Sequence, residues 1–205
     1  MRLYCARGTI SVAVFAAMKE AGLTFEPVIL DFAAGEQTLP AYQSINPKGR
    51  VPVLELADGQ RLTETGAILE LVAALAPDAG LMPSDSLAAA HLRSVMYYLA
   101  TTAHVNHAHA RRGARWADKT ESHADMAAKV PETMTQSARI IENHCLRGDF
   151  VGGSVLSIAD FYTFVVCSWM KGDGVEMTAF PRICALIERM RSRPSVQAAV
   201  DAGLY

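Results

Sequence analysis

Residues 46–68 hold the side chains whose types and spacing can do chemistry. They read Asn46-Pro47-Lys48-Gly49-Arg50-Val51-Pro52-Val53-Leu54, then Leu62-Thr63-Glu64-Thr65-Gly66-Ala67-Ile68. A proline at the mouth of an apolar strand has no N–H for the sheet ladder, so Pro52 marks an edge, a bulge or a cis turn. Glu64-Thr65 opens an amphipathic helix. The first N–H groups of a helix lack partners, and its dipole favours an anion there. A held Val51 backbone beside such a helix start can grip a small acidic peptide by main-chain and side-chain bonds together.

The elements that must position these groups follow from pattern. Arg2–Cys5 reads as a short strand, and Gly8-Thr9-Ile10-Ser11 as a turn into a helix with Val12, Phe15, Ala16 and Met18 on its buried stripe. Gly22 is its stop. Phe25–Leu30 is a second strand, with Pro27 pointing to a sheet edge; strand, helix, strand makes the two strands parallel. Glu36–Ile45 holds a short irregular helix. Val53–Leu56 and Gln60–Thr63 flank Asp58-Gly59, a hairpin signal. A helix then runs from Thr65 to about Ala76, where Pro77 stops it.

Residues 77–86, rich in Pro, Asp, Gly and Ser, read as a linker. No strand pattern follows. One helix is expected from Leu87 to about Arg112 and another from about Ala124 to Leu146, with Pro131 either kinking it or sitting near its start. Ser157-Ile158-Ala159-Asp160 is a capping box, with Leu156 and Phe161 at the staple positions. Pro181 and Pro194 each suit the first turn of a helix. The fold class is therefore α/β followed by all-α, with one domain over 1–76, a linker over 77–86 and a helical domain over 87–205.

The chain has 205 residues, 51% of them apolar, enough for a substantial core. A net charge of −2 gives no electrostatic case for nucleic acid or an acidic membrane surface. No apolar run reaches the roughly 18 residues of a membrane span. Ile10–Met18 behind Arg2 and Arg7 imitates a signal peptide, but its removal would delete a strand and helix the fold requires. The four cysteines show no metal-like spacing and read as reduced cytosolic thiols, so a cytoplasmic location is expected. His104 and His107 share a helix face while His109 lies on another, which leaves a metal site short of ligands. Tyr4 and Cys5 read as core, Trp116 and Trp169 as core or interface anchors. Arg111, Arg112 and Arg115 read as solvent or interface charges, and Met170–Gly174 as a helix stop and loop.

In this order, these residues resemble the cytosolic glutathione S-transferases over essentially the whole chain. Asn46–Leu54 is similar to the family's cis-proline stretch, Glu64-Thr65 to its motif for the γ-glutamyl group, and Ser157–Asp160 to its helical-domain capping box. The start, Met1 to Tyr4 through Gly8 and Ser11, looks most like the bacterial beta class. Ile10 stands where that class usually has a cysteine, which argues against mixed-disulfide chemistry there.

The resemblance implies a thioredoxin-like first domain that binds glutathione as co-substrate, with no permanently bound cofactor and no metal. It implies conjugation of the glutathione thiolate to a small apolar electrophile, in a homodimer. Ser11 is the expected thiol activator and Thr9 its rival. Val51, Pro52, Glu64, Thr65 and Arg50 would hold the tripeptide, Lys48 sharing the glycyl end with Arg50 and the partner subunit's His107 approaching the site. Tyr97, two turns before His104, would line the electrophile pocket with it. A glutathione-dependent isomerase, peroxidase or reductase, or a non-catalytic binding protein, would use the same scaffold.

Overall fold

A computed structural model describes all 205 residues. The alternation in β1 (Arg2–Cys5) decides the first layer: Leu3 and Cys5 enter the main core, while Tyr4 turns to the opposite face. β1 pairs in parallel with β2 (Glu26–Ile29), and antiparallel with β3 (Val53–Glu55), which pairs antiparallel with β4 (Arg61–Thr63). The sheet order β2-β1-β3-β4 leaves β2 at an edge, where Pro27 needs no ladder bond.

One face of the sheet carries α1 (Ser11–Glu20) and α3 (Thr65–Leu75). The other is closed by Tyr42, from the short α2 (Pro40–Gln43), packed with Tyr4, Leu30, Val51 and Val53. This is the thioredoxin-like domain. Every residue of α1 from Ser11 to Met18 is buried, because the helical half packs on its far side through α7 and α9.

The helical half departs from the sequence reading in two places. The expected single helix from 87 to 112 is α4 (Ser86–Tyr98), a π segment (Leu99–Ala103) and α5 (His104–His109). The helix expected from 124 is α6 (Thr120–Ile140), running into a second π segment (Ile141–Cys145). Pro131 lies inside α6, its ring against Gly174, where an added Cβ would stand 3.1 Å away. In the first domain, Ser11 is the first residue of α1 and Ile10 occupies the cap position. α7 (Ile158–Trp169), α8 (Pro181–Arg191) and α9 (Pro194–Asp201) complete the chain, with Pro181 and Pro194 at their first turns. No helix is long and apolar enough to cross a membrane.

The two halves are pinned by Glu20 at the end of α1. Arg193 forks onto its carboxylate at 2.5 and 3.1 Å, and the Ser195 hydroxyl donates to it at 2.5 Å. Burial opposes ionisation of Glu20, but the Arg193 and Ser195 bonds and the Arg193 charge outweigh it and hold the carboxyl below its usual range. Because the native carboxyl titrates below the unfolded one, its contribution is present above about pH 4.3 and fades as pH falls through the native value. Glu20→Gln is therefore expected to destabilise the protein by about 1–3 kcal/mol at neutral pH. In urea unfolding, that gap should close as acidification protonates the native carboxyl. A gap that persists then would show that packing, not the charge, is what the carboxylate supplies.

Candidate active site

The candidate site begins at the turn before α1. Gly8 adopts a φ of +68°, open to glycine, and its N–H donates to the carbonyl of Leu204 at 2.9 Å, so the C-terminal end of the chain fixes the turn. The Thr9 hydroxyl donates to the Ala6 carbonyl at 2.8 Å. Ser11 is fully buried. Its Oγ accepts from the Ala6 N–H at 3.1 Å and lies 3.2 Å from the Ala6 oxygen and 2.6 Å from Thr9 Oγ1. Thr9, half-buried, is thus the hydroxyl nearer solvent, with Ser11 behind it. The Ile10 N–H, at the start of the helix, donates to no group in the chain.

The second wall is the loop from Asn46 to Val51. Asn46, buried, folds it: its Nδ2 donates to the Arg50 carbonyl at 2.6 Å and its Oδ1 accepts from the Lys48 N–H at 3.1 Å. The Tyr42 hydroxyl donates to the same Arg50 carbonyl at 2.7 Å. The Val51–Pro52 bond is cis. Neither the N–H nor the C=O of Val51 is taken up by another backbone group.

The third wall is the corner before α3. Glu64 sits at φ 70°, ψ 118°, a region that residues with a Cβ occupy at a cost of order 1–3 kcal/mol. The first intrahelical bond is from the Ile68 N–H to the Glu64 carbonyl, so the N–H groups of Thr65, Gly66 and Ala67 are unpaired. The Thr65 hydroxyl makes no hydrogen bond within the chain either. The Glu64 carboxylate accepts from Lys48 Nζ at 2.6 Å, and the same ammonium reaches Thr63 Oγ1 at 2.8 Å. Lys48, expected beside Arg50, is therefore a strap across the cleft floor to Glu64.

The helical half supplies a ring cluster. His107 stacks on Trp169 at 4.2 Å and 19°, and the His104 ring lies 5.1 Å from Trp169 and 6.5 Å from His107. Burial, with the charges of His107, Arg115 and Arg50, pushes His104 down to about 4, so it is neutral at working pH. His104 thus lies within electrostatic reach of Arg50 in the Val51 loop. Burial likewise raises Tyr162 of α7, and the charge of Glu64 adds to it; α7 packs against α3. Burial alone drives Cys5 up to about 12, an unreactive thiol.

Thr9 and Ser11 follow β1, Arg50, Val51 and Pro52 precede β3, and Glu64 and Thr65 follow β4, so these residues share one end of the sheet; His104 of the same chain, with His107 beside it, lies within electrostatic reach of Arg50. Tyr97 makes no ring contact with the histidines. Tyr97 is 61% exposed on α4, and the π segment between it and His104 closes i→i+5 turns, rotating the helix face. The straight 3.6-residue count behind the expected pairing does not survive that insertion. Trp169 and Asp173, which holds His107, were read as anchor and loop. Their role rests on distant pairing that sequence spacing does not carry.

Comparison with known proteins follows this geometry. Residues 1–74 match the family model described as glutathione S-transferase, N-terminal domain, and residues 107–201 that of the C-terminal domain. Glutathione S-transferase GstA of Escherichia coli is 30% identical over 98% of each chain. A maleylacetoacetate isomerase of Pseudomonas aeruginosa is 29% identical over 98% of this chain and 96% of its own. A crystal structure of a glutathione transferase homologue from Sulfitobacter, with bound glutathione, is 54% identical, covers 100% of this chain and 98% of its own, and superposes with a TM-score of 0.98. Matched in both halves and aligned with a curated member along nearly its full length, the chain belongs to the glutathione S-transferase family.

Proposed function

We propose that the cleft binds glutathione and transfers its thiolate to an electrophile held against the helical half. In this reading residues 1–76 are the glutathione domain, 77–86 the linker and 87–205 the domain that supplies the pocket. The observation that carries it is the unpaired main chain of Val51 beside the unpaired start of α3. The cysteinyl unit pairs with Val51 as an added strand would. The γ-glutamyl carboxylate sits on the N–H groups and hydroxyl of Thr65, and its ammonium on Glu64, displacing Lys48. Arg50 faces the glycyl end. Thr9 donates to the sulfur, with Ser11 donating to Thr9 from behind. His104 and Trp169 line the electrophile side.

A homodimer is favoured by Leu75, Leu87 and Tyr97, apolar and exposed on α3 and α4. Four unpaired thiols support a cytoplasmic location.

One observation favours an electrophile that carries a carboxylate. Arg112 and Arg115 form no ion pair, and burial together with the charges of Arg50 and Arg112 holds the Arg115 guanidinium below its usual range. An unneutralised cluster of guanidinium groups attracts an anion.

Titration calorimetry with glutathione, followed by turnover with an aryl halide and with an unsaturated carboxylate, tests the proposal. Glu64→Ala is expected to raise the glutathione Kd by about 10- to 100-fold, the worth of a charge-assisted bond. An unchanged Kd would remove Glu64 from the clasp, and the absence of binding heat in the wild type would end the reading altogether.

A further inference from the structure

The loop after α7 has a use that a helix stop does not require. The Asp173 N–H donates to the carbonyls of Trp169 and Met170, both at 3.1 Å, and the Val175 N–H closes the turn on Met170 at 3.0 Å. Gly174 follows at φ +85°, wedged against the Pro131 ring of α6. This rigid turn delivers a carboxylate whose side chain is only 6% exposed, with both oxygens on His107 Nδ1, at 2.8 and 3.0 Å. No other group in the chain bonds that carboxylate. A carboxylate accepts only, so Nδ1 carries the proton and donates. Trp169 fixes the ring plane by stacking. Nε2 has no partner in the chain, and the imidazole side chain remains 32% exposed on the histidine cluster that faces Arg50.

We propose that Asp173 is a positioning residue: it holds His107 in the tautomer whose Nε2 lone pair faces the cleft as proton acceptor for the glutathione thiol. The inference rests on the glutathione-binding reading above. In the step, the S–H bond breaks, an N–H bond forms at Nε2 and the electron pair stays on sulfur. The imidazolium that results is balanced by the Asp173 carboxylate 2.8 Å away. After the thioether forms, the proton leaves to the departing group or to water. A carboxylate that fixes the tautomer and stabilises the imidazolium is how a histidine base is prepared in general. The charged and titratable groups around the ring are Asp173 from the loop, His104 from its own helix segment, and Arg115 and Arg50 beyond His104.

The test is Asp173→Asn, which keeps shape but lets the amide donate to Nδ1 and reverse the tautomer. With an aryl halide, kcat is expected to fall by about 10- to 100-fold. The glutathione Kd from calorimetry should stay within about threefold, and the rising limb of the kcat–pH profile should move to higher pH. His107→Asn should cause a similar loss, and the double variant no further loss, because the two act as one unit. Unchanged kcat and pH profile in folded Asp173→Asn, or losses that multiply in the double variant, would overturn the proposal. If Asp173→Asn does not fold, nitrogen NMR of the wild-type imidazoles decides: a protonated Nδ1 and bare Nε2 on neutral His107 support it, the reverse overturns it. Failure of the wild type to bind glutathione would instead show as missing binding heat, and would remove the glutathione reading and this inference together.

Discussion

Thr9→Ala is expected to lower kcat/KM by about 10²-fold, the usual cost of losing one donor to a developing anion in a preorganised site. A free thiol has a pKa of about 8.5, so little of it is ionised at neutral pH, and each pKa unit is worth about 1.4 kcal/mol of preferential thiolate stabilisation. The turn before α1 offers two hydroxyls, but they are not equivalent. Ser11 Oγ is buried and accepts the Ala6 N–H, so it cannot turn outward without orphaning that donor. Thr9 Oγ1 is bound to a carbonyl it can leave, and Ser11, 2.6 Å behind, can donate to the oxygen that has turned. Thr9→Ser should restore most of the rate. Ser11→Ala should act on stability first, by about 1–3 kcal/mol for the unpaired Ala6 N–H, with a smaller change in kcat/KM. The measurement is steady-state turnover beside the thiolate absorbance of bound glutathione against pH. A Thr9→Ala enzyme with wild-type kcat/KM and an unmoved thiol titration would strike out this donor.

The largest stability effect should come from Asp160. It is fully buried, and its carboxylate accepts from the Val151 N–H at 2.7 Å, the Ser157 N–H at 2.8 Å and the Ser157 hydroxyl at 2.7 Å. Burial pushes its pKa up to about 6 against the pull of those donors. The residue therefore does more than close the capping box of α7; it also ties the 150–153 turn to the helix start. Asp160→Ala leaves two buried backbone donors unpaired at once. The expected loss is about 3–5 kcal/mol, or roughly 10 °C in Tm for a chain of this size. Asp160→Asn, which keeps one acceptor oxygen and turns the other into a donor, should lie between. Thermal unfolding checks the series, and an alanine variant within about 1 kcal/mol of wild type would mean that water replaces the carboxylate.

How much was legible in the residues depended on how local the cause was. The β-α-β start, the Asp58-Gly59 hairpin, the corner at Glu64 and the capping box are each set by neighbours within a few positions, through turn chemistry, periodicity and unpaired helix N–H groups. The two π segments were invisible, because apolar spacing reports which face is buried and not whether a turn holds an extra residue. For the same reason Tyr97 was placed beside His104. The choice between Thr9 and Ser11 was open in the sequence, since both are hydroxyls at a helix start. Burial of Ser11 and its hold on the Ala6 N–H are what favour Thr9 in the proposal above.

The amino-acid order by itself determined the two-part architecture, the proline turn into β3 and the helix start at residue 65, because these are written in short-range signals. Only the tertiary structure decided that Lys48 crosses to Glu64, that Arg193 pins Glu20, and that Asp173 reaches His107 from 66 positions away. Those pairs depend on helices docking at one angle and depth, and a contact fixed by packing leaves no spacing in the chain from which to read it.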